Sequence, residues 1–374
     1  WPRWRGPDGT GILPDSDWSP QALATPKIRW KAALGLGHSS VALVGPNLYT
    51  MGSESEHDIV YCLETETGRE LWRHSYPSKD GSFPGPRATP VVDGGLVYTL
   101  SREGLAFCLD GATGRVKWEK DFVRDHGAVV NRWGISGSPL IVGDAVIYNV
   151  CAGGVALDKK TGGKIWASPA GKGGYATPVL FRHKDRSCLA IFASQKLGVV
   201  DPSTGETLYS HPWVAEHDVN VADPVYFDGK LFITSGYGRG CTLLDLSGSR
   251  AVALWEHTHL SSHFASPILF KGYLYGIDGQ TGLGQFRCLD PATGEVKWTQ
   301  KGGYENFMIA GGRILAIDKR GVLSVSEADP AGYKELVRGA VLSAKAKNWP
   351  APVLSGGWIY CRNSEGDLVS IDAR

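Results

Sequence analysis

Two short segments of the sequence carry side chains of the kinds that bind metal ions. His217, Asp218 and Asn220 lie within four residues, so an imidazole, a carboxylate and an amide could reach one cation. Asp and Asn also cap turns by accepting backbone N–H bonds, and that interpretation stays open. His257 and His259 alternate along a predicted strand, which puts both imidazoles either on one face or at an exposed strand end. We therefore assign no metal ligands.

The motifs of several catalytic classes are missing from the sequence. There is no HExxH, no Gly-rich phosphate loop, no GxSxG and no Asp-x-Asp-x-Asp-Gly calcium loop, so we predict neither hydrolase nor nucleotide chemistry. The catalytic residues stay unassigned. None of the seven cysteines forms a CxxC pair, and Cys62, Cys108 and Cys288 recur at one phase of a repeat. Equivalent positions of successive repeats are too far apart for a disulfide, which predicts buried free thiols.

Composition and charge narrow the range of partners. The chain has 39 basic and 38 acidic residues, a net charge of +1, and its Lys and Arg are scattered through turns. A nucleic-acid partner normally requires a clustered basic face, so we predict none. No stretch reaches the roughly 18–20 consecutive apolar residues of a membrane helix, so we predict no transmembrane segment.

One recurring pattern predicts the fold. Its last part reads Asp-x-x-Thr-Gly-x-x-x-Trp, most clearly from Asp110 to Trp118. Starting at Trp30, the aromatic ends of successive copies are 42, 46, 48, 43, 46 and 43 residues apart, the length of one four-stranded propeller blade. Gly supplies the positive φ of a tight turn, while Asp and Thr oxygens accept its N–H groups. The terminal Trp is placed to pack against the neighbouring blade.

Counting the copies predicts an all-β, eight-bladed β-propeller of four-stranded antiparallel blades over residues 26–374. The last copy stops at Asp372 before its outer strand, and residues 26–30 look like the missing strand. We expect this N-terminal strand to complete the last blade and close the ring, which removes the free sheet edges. The seventh copy is degenerate, with Phe307 at the proline position. Residues 1–25 are predicted to form a strap along the surface of the propeller.

Propeller ligands bind where the loops that enter the innermost strands converge, at one end of the axial channel. Aligning the copies on their small residue–Pro pair places aromatic, basic and amide side chains around this opening. Such a set suits a planar anion or a sugar, because rings supply stacking area and polar groups fix orientation. Each aromatic could instead merely fill the top of its own blade. The candidate ligand-binding residues are His38, Arg87, Arg132, Trp133, Tyr175, His217, Asp218, Asn220, His263, Tyr304, Asn306, Lys319 and Trp349.

The repeat resembles the pyrroloquinoline-quinone-type (PQQ-type) propeller repeat across essentially residues 26–374. Two groups share it: periplasmic quinoprotein alcohol dehydrogenases, which hold PQQ and calcium on the axis, and the non-enzymatic lipoprotein subunit of the outer-membrane β-barrel assembly machinery. The opening residues 1–11, followed by residues 28–31 and 37–40, look like a third group, the secreted PQQ-like repeat proteins of planctomycete-type bacteria. The resemblance implies a periplasmic or secreted protein. We expect a monomer from which a signal peptide has been removed.

The resemblance leaves three functions open. The first is an extracytoplasmic binding or scaffold propeller that recognises a protein partner or a small-molecule or sugar ligand at the channel mouth. The second is a PQQ-dependent dehydrogenase of an alcohol or sugar, with Asp218 or Asp278 as general base and Arg87 or Lys319 polarising the quinone. The sequence lacks the adjacent cysteine pair and the haem attachment motif found in such enzymes, so no cofactor is assigned. The third is carbohydrate binding or processing.

Overall fold

The computed structural model describes residues 1–14, 17–79 and 81–374. It contains eight four-stranded antiparallel sheets that follow one another along the chain as the blades of a propeller. In each blade the strands are named inner, second, third and outer, from the axis to the rim. The predicted all-β, eight-bladed propeller is confirmed.

The strands of each blade run in chain order from inner to outer, except that the N-terminal strand is the outer strand of blade 8. Blades 1 and 2 consist of Ala42–Val44, Asn47–Glu54, His57–Glu64 and Glu70–Pro77, then Val91–Asp93, Leu96–Tyr98, Leu105–Asp110 and Val116–Asp121. Blades 3 and 4 consist of Leu140–Val142, Ala145–Tyr148, Val155–Asp158 and Lys164–Ala167, then Val179–His183, Arg186–Phe192, Lys196–Val200 and Thr207–Pro212. Blades 5 and 6 consist of Val225–Phe227, Lys230–Ser235, Gly240–Asp245 and Val252–His257, then Ile268–Phe270, Tyr273–Asp278, Gln285–Leu289 and Val296–Lys301. Blades 7 and 8 consist of Tyr304–Ala310, Arg313–Asp318, Val322–Glu327 and Glu335–Ala340, then Val353–Ser355, Trp358–Arg362, Asp367–Asp372 and Lys27–Ala33.

The remaining elements are short. The α-helix Phe122–His126 begins after Asp121, whose carboxylate accepts two N–H bonds from its first turn. Two 3₁₀ turns span Pro20–Ala24 and Glu216–Asp218. Two short parallel strand pairs join Ile12–Leu13 to the inner strand of blade 7 and Ala128–Val129 to Gly171–Lys172. Within the described ranges, no helix is both long enough and apolar enough to cross a membrane.

The core is divided among the interfaces between blades. Eight hydrophobic clusters are present, and each joins one pair of neighbouring blades around the ring. Alternation along a strand explains this arrangement, because successive side chains point to opposite faces. In blade 2, Val97 and Leu109 pack against blade 1, whereas Tyr98 and Cys108 pack against blade 3. All seven cysteines are buried free thiols in the structure.

The tryptophans of the recurring sequence join neighbouring blades. The indole N–H of Trp72, in the outer strand of blade 1, donates to the carbonyl of Gly111 in the turn of blade 2 at 2.9 Å. The same ring lies against Gly114, which has φ 72°, and a Cβ at that position would be 2.6 Å from the ring. The repeat therefore needs Gly both for its turn and for close approach of the Trp.

The N-terminal strand closes the ring, as predicted. Lys27–Ala33 pairs antiparallel with Asp367–Asp372, with Lys27 opposite Asp372 and Ala33 opposite Asp367. Trp30 then makes the same contact as the other repeat tryptophans, donating to the carbonyl of Thr65 in blade 1 at 3.0 Å.

Candidate functional site

A cavity of about 420 Å³ lies on the propeller axis, at the end where the loops enter the inner strands. Seven of the thirteen predicted ligand residues line it, contributed by blades 1, 2, 3, 4, 6, 7 and 8: His38, Arg87, Trp133, Tyr175, His263, Asn306 and Trp349. The ring topology thus brings residues more than 300 positions apart to one opening.

Three further predicted residues lie near the rim of the cavity without lining it. Arg132 is exposed, and its guanidinium carbon is 5.1 Å from the centroid of the Trp133 ring. His217 contacts the same Trp133 ring edge-on, at 5.5 Å between centroids. Asp218 forms an ion pair with Lys172 at 3.1 Å, and among the described residues it does not form a metal site with His217.

The other three predicted residues are structural. Asn220 is buried and donates to the carbonyls of Ala193 and Ser194, because the alternation that turns Val219 and Val221 into the cavity turns Asn220 away from it. Tyr304 bonds through its hydroxyl to Tyr333 at 2.9 Å, away from the axis. The Lys319 side chain lies over Gly303.

Aromatic rings form a continuous arc around the cavity mouth. Consecutive ring centroids are 4.0–5.5 Å apart along the aromatic arc Trp133, His217, Tyr237, His263, Phe264, Trp349 and His38. His38 and Trp349 are stacked with 26° between their planes, and Phe83 lies beside Trp349. The arc presents ring faces and edges to the same space, which is the arrangement that binds a flat or apolar group.

Two cations face the same cavity. Burial, and then the nearby Arg102, lower the pKa of Arg87 to about 10, so its guanidinium stays charged at neutral pH. Arg87 is held in place by donating to the carbonyls of Gly85, at 3.0 Å, and Phe83, at 2.8 Å. The Lys347 ammonium lies 3.9 Å from the centroid of Phe83 and 5.0 Å from that of Trp349. Burial lowers the pKa of Lys347 as well.

The two histidines of the cavity wall are neutral at physiological pH. Burial, followed by the positive charges of Arg87 and Arg362, holds the pKa of His38 well below its usual value. Burial lowers the pKa of His263 to about 4. In both rings Nδ1 is buried without a hydrogen-bond partner among the described residues. Buried polar atoms normally have a partner, so both rings lack a bond that the protein interior usually supplies.

A belt of hydrogen bonds lies one level below the mouth. In blades 2 to 6, the residue before the repeat proline offers a side-chain oxygen to the backbone N–H of the equivalent residue in the preceding blade. The bonds run from Ser40 to Thr89, Thr89 to Ser138, Ser138 to Thr177, Thr177 to Asp223 and Asp223 to Ser266, at 2.8–3.2 Å. Asp223 is the one acidic side chain in this series, and it lines the cavity.

The first residues of the chain form the floor of the cavity, in place of the surface strap that the sequence suggested. Trp4 lines the cavity, and its indole N–H donates to Asp223 at 2.7 Å. Arg5 is buried and pairs with the same carboxylate at 3.6 Å. Local sequence patterns do not indicate this contact, since it joins residues about 220 positions apart. The one sequence feature that hints at this contact is Asp223, which stands before Pro224 where blades 2, 3, 4 and 6 have Ser or Thr. Asp15 and Ser16, also within the expected strap, lie outside the described residues.

His257 is the last residue of the outer strand of blade 5, and His259 lies two residues beyond it. Their rings stack at 4.5 Å with 11° between the planes. His257 Nε2 contacts the carbonyl of Thr293 and His259 Nδ1 that of Gly294, at 3.1 and 2.8 Å. The pair therefore attaches the strand to the blade 6 turn, and no cluster of three metal-binding side chains occurs in the described part of the chain.

The cavity residues do not fit the calcium that accompanies PQQ. Ca²⁺ takes six to eight oxygen ligands, usually with several carboxylates. Among the described residues that line the cavity, Asp223 is the only carboxylate, and Trp4, Arg5 and Thr177 already occupy it. Asp278, the alternative general base, pairs with Arg287 at 3.1 Å and accepts from Ser261, outside the cavity lining.

Comparisons with known proteins agree with this fold. Over 366 residues the chain is 24% identical to the outer membrane protein assembly factor BamB of Yersinia pestis, covering 90% of this chain and 88% of that protein. It is 28% identical over 271 residues to a quinoprotein ethanol dehydrogenase of Pseudomonas putida, covering 60% of this chain and only 41% of the enzyme. The crystal structure of quinohemoprotein alcohol dehydrogenase from Comamonas testosteroni superposes with a TM-score of 0.74 at 13% identity, covering 99% of this chain and 80% of that one, which shows the fold alone.

A family model described as outer membrane protein assembly factor BamB matches residues 56–300. This stretch comprises the third and outer strands of blade 1 and blades 2 to 6, and it includes most of the residues that line the cavity. The chain therefore belongs to the BamB family of PQQ-type repeat propellers.

Proposed function

We propose that this protein is an extracytoplasmic binding propeller whose axial cavity takes up a flat, anionic group. The observation that carries the proposal is the aromatic arc, which includes the two neutral imidazoles of His38 and His263 and lines the same cavity as the cations Arg87 and Lys347. Within that part of the chain, nothing on the cavity wall is arranged as an acid–base pair, because its one carboxylate is neutralised by Arg5.

The charges of the wall favour an anion. Arg87 and Lys347 are cationic, and the Asp223 carboxylate that faces them is paired, so an entering negative charge meets attraction and little repulsion. The volume of about 420 Å³ admits a ligand of small-molecule size or one group presented by a protein partner.

Similarity supports a binding role over an enzymatic one. The relative whose length this chain nearly spans is named an assembly factor, whereas the chain spans under half of the quinoprotein dehydrogenase. A periplasmic or secreted monomer that recognises a ligand or a protein partner is the corresponding proposal for this chain.

Calorimetric titration with 1-naphthoate, a flat carboxylate, tests the proposal directly. We expect binding that Trp349→Ala weakens about tenfold, through loss of stacking, and that Lys347→Ala weakens about fivefold, through loss of charge. Lys345→Ala is the matched control, because Lys345 is an exposed lysine two residues away that does not line the cavity. Failure of naphthoate to bind, or equal affinity in all variants, would contradict the proposal.

The same titration separates the other two functions. Maltose in place of naphthoate tests carbohydrate binding. PQQ with and without Ca²⁺, followed by dye reduction with a panel of alcohols, tests dehydrogenase activity. Turnover with PQQ would overturn the binding role, whereas calcium-independent binding of PQQ without turnover would agree with it, since PQQ is itself a flat polyanion.

A further inference from the structure

The N-terminal segment, defined as residues 1–13, crosses the axial channel from one side to the other. The carbonyls of Trp1 and Pro2 accept from Leu43 of blade 1 and Val92 of blade 2, at 2.8 and 2.9 Å. On the opposite side, Arg5 donates to the carbonyl of Pro267, at the start of blade 6, at 2.7 Å. Residues 12 and 13 then pair in parallel with the inner strand of blade 7. One short segment thus contacts blades on both sides of the axis.

Free backbone groups of the inner strands explain why the segment lies there. In an antiparallel pair, alternate residues of the inner strand direct their N–H groups away from the second strand and toward the axis. The segment satisfies three of these groups, at Leu43, Val92 and Ile309. These bonds join backbone atoms only, so they hold the segment in position whatever side chain occupies position 4.

A buried ion pair fixes the middle of the segment. The side chains of Arg5 and Asp223 are only 8% and 4% exposed. Burial raises the pKa of Asp223 and the Arg5 charge opposes that rise, as expected for a desolvated pair. Arg5 and Gly6 both have positive φ, and a Cβ on Gly6 would lie 2.8 Å from the ring of Trp1. The tight turn at Gly6 directs the preceding Trp4 toward the cavity.

We propose that the N-terminal segment is part of the ligand site: Trp4 contacts the ligand from below, and Asp223 is the positioning residue that orients its indole. The inference rests on the proposed function and deepens it. Because the segment closes the channel beneath the cavity, ligands enter and leave at the mouth only. The site therefore accepts a small molecule or the end of a chain, and it excludes a polymer threaded along the axis.

The ligand test compares Trp4→Ala and Asp223→Asn, singly and together, by calorimetry with 1-naphthoate. We expect each single variant to weaken binding about five- to tenfold. If Asp223 acts through Trp4, Asp223→Asn has no further effect once Trp4 is absent, a result that a merely structural role would not give. Trp298→Phe, a change in the outer strand of blade 6, is the control and leaves the affinity unchanged.

A second measurement follows the segment without any ligand. Hydrogen exchange at the amides of Leu43, Val92 and Ile309 is expected to be slow in the intact protein and faster by about tenfold or more when residues 1–11 are removed. Rapid exchange at all three amides in the intact protein would show that residues 1–13 do not form the floor, whether or not naphthoate binds. If naphthoate binds and Trp4→Ala binds it equally well, the role of Trp4 is wrong while the binding function stands.

Discussion

The mouth and the floor of the axial cavity are built in different ways. At the mouth, the wall residues come from the loops of several separate blades, and its aromatic side chains mainly contact one another. At the floor, one continuous segment contacts blades 1, 2, 5, 6 and 7 through backbone bonds and one buried ion pair. Side chains at the mouth can therefore change without disturbing the blades, whereas a change at the floor affects several blades together. The ligand-binding side chains at the mouth can therefore vary, whereas those at the floor are constrained by their contacts with several blades.

The largest effect is expected from Asp223→Ala at the floor. The substitution leaves the buried Arg5 charge unpaired and removes the acceptor of the Trp4 indole and the Thr177 amide. Breaking a buried pair by removing one partner costs about 3–5 kcal/mol of unfolding free energy, measurable as a lower denaturant midpoint.

A matched carboxylate at the surface provides the control for that measurement. Glu327 pairs with Lys334 at 3.0 Å, but both side chains are largely exposed. Glu327→Ala should cost less than about 1 kcal/mol, because water screens the pair. Similar losses for the two variants would remove the distinction between floor and surface.

A buried carboxylate near the mouth sharpens the comparison through its pH dependence. Glu305 is 6% exposed; one oxygen accepts from Gly282, and the other has no hydrogen-bond partner within the described residues. Burial raises its pKa from 4.5 to about 7. The folded state therefore binds a proton that the unfolded state releases. The resulting stabilisation is complete below pH 4.5 and is lost as the pH rises through about 7.

Glu305→Gln is neutral at every pH and should remove this dependence. We expect the variant to be more stable than the parent by on the order of 2 kcal/mol at pH 8, and equally stable below about pH 4.5. Denaturant midpoints measured across this range test the sign. A variant that is less stable at about pH 8 would show that the Glu305 charge is compensated.

The smallest effect on stability is expected at the mouth itself. Lys347 is exposed and its ammonium lies over the Phe83 and Trp349 rings, so Lys347→Ala should change the unfolding free energy by less than about 0.5 kcal/mol. The loss of naphthoate affinity expected for the same variant would then be a binding effect alone. A stability loss comparable to that of Asp223→Ala would make the mouth as constrained as the floor.

The sequence predicted what its periodicity encodes. Blade number, ring closure by Lys27–Ala33 and the packing of each repeat Trp on the next blade all follow from the repeat. Alignment also identified which loops converge, but it could not give the direction of each side chain. Tyr304 shows why: the inner strand of blade 7 changes register between Tyr304 and Asn306, so the aligned position turns away from the axis. The floor was missed because a contact between distant segments leaves no periodic signal in either of them.

Ring closure also sets the order of folding events. Among the blade strands, the one that completes blade 8 comes first in the sequence, and the strand it pairs with, Asp367–Asp372, comes last. Lys27–Ala33 therefore stays unpaired until Asp367–Asp372 is in place. Such long-range pairing is slow, and the exposed edge of the waiting strand invites association with other chains. A chaperone that shields the strand Lys27–Ala33 and the residues before it in the nascent chain would therefore protect this molecule at its most vulnerable stage.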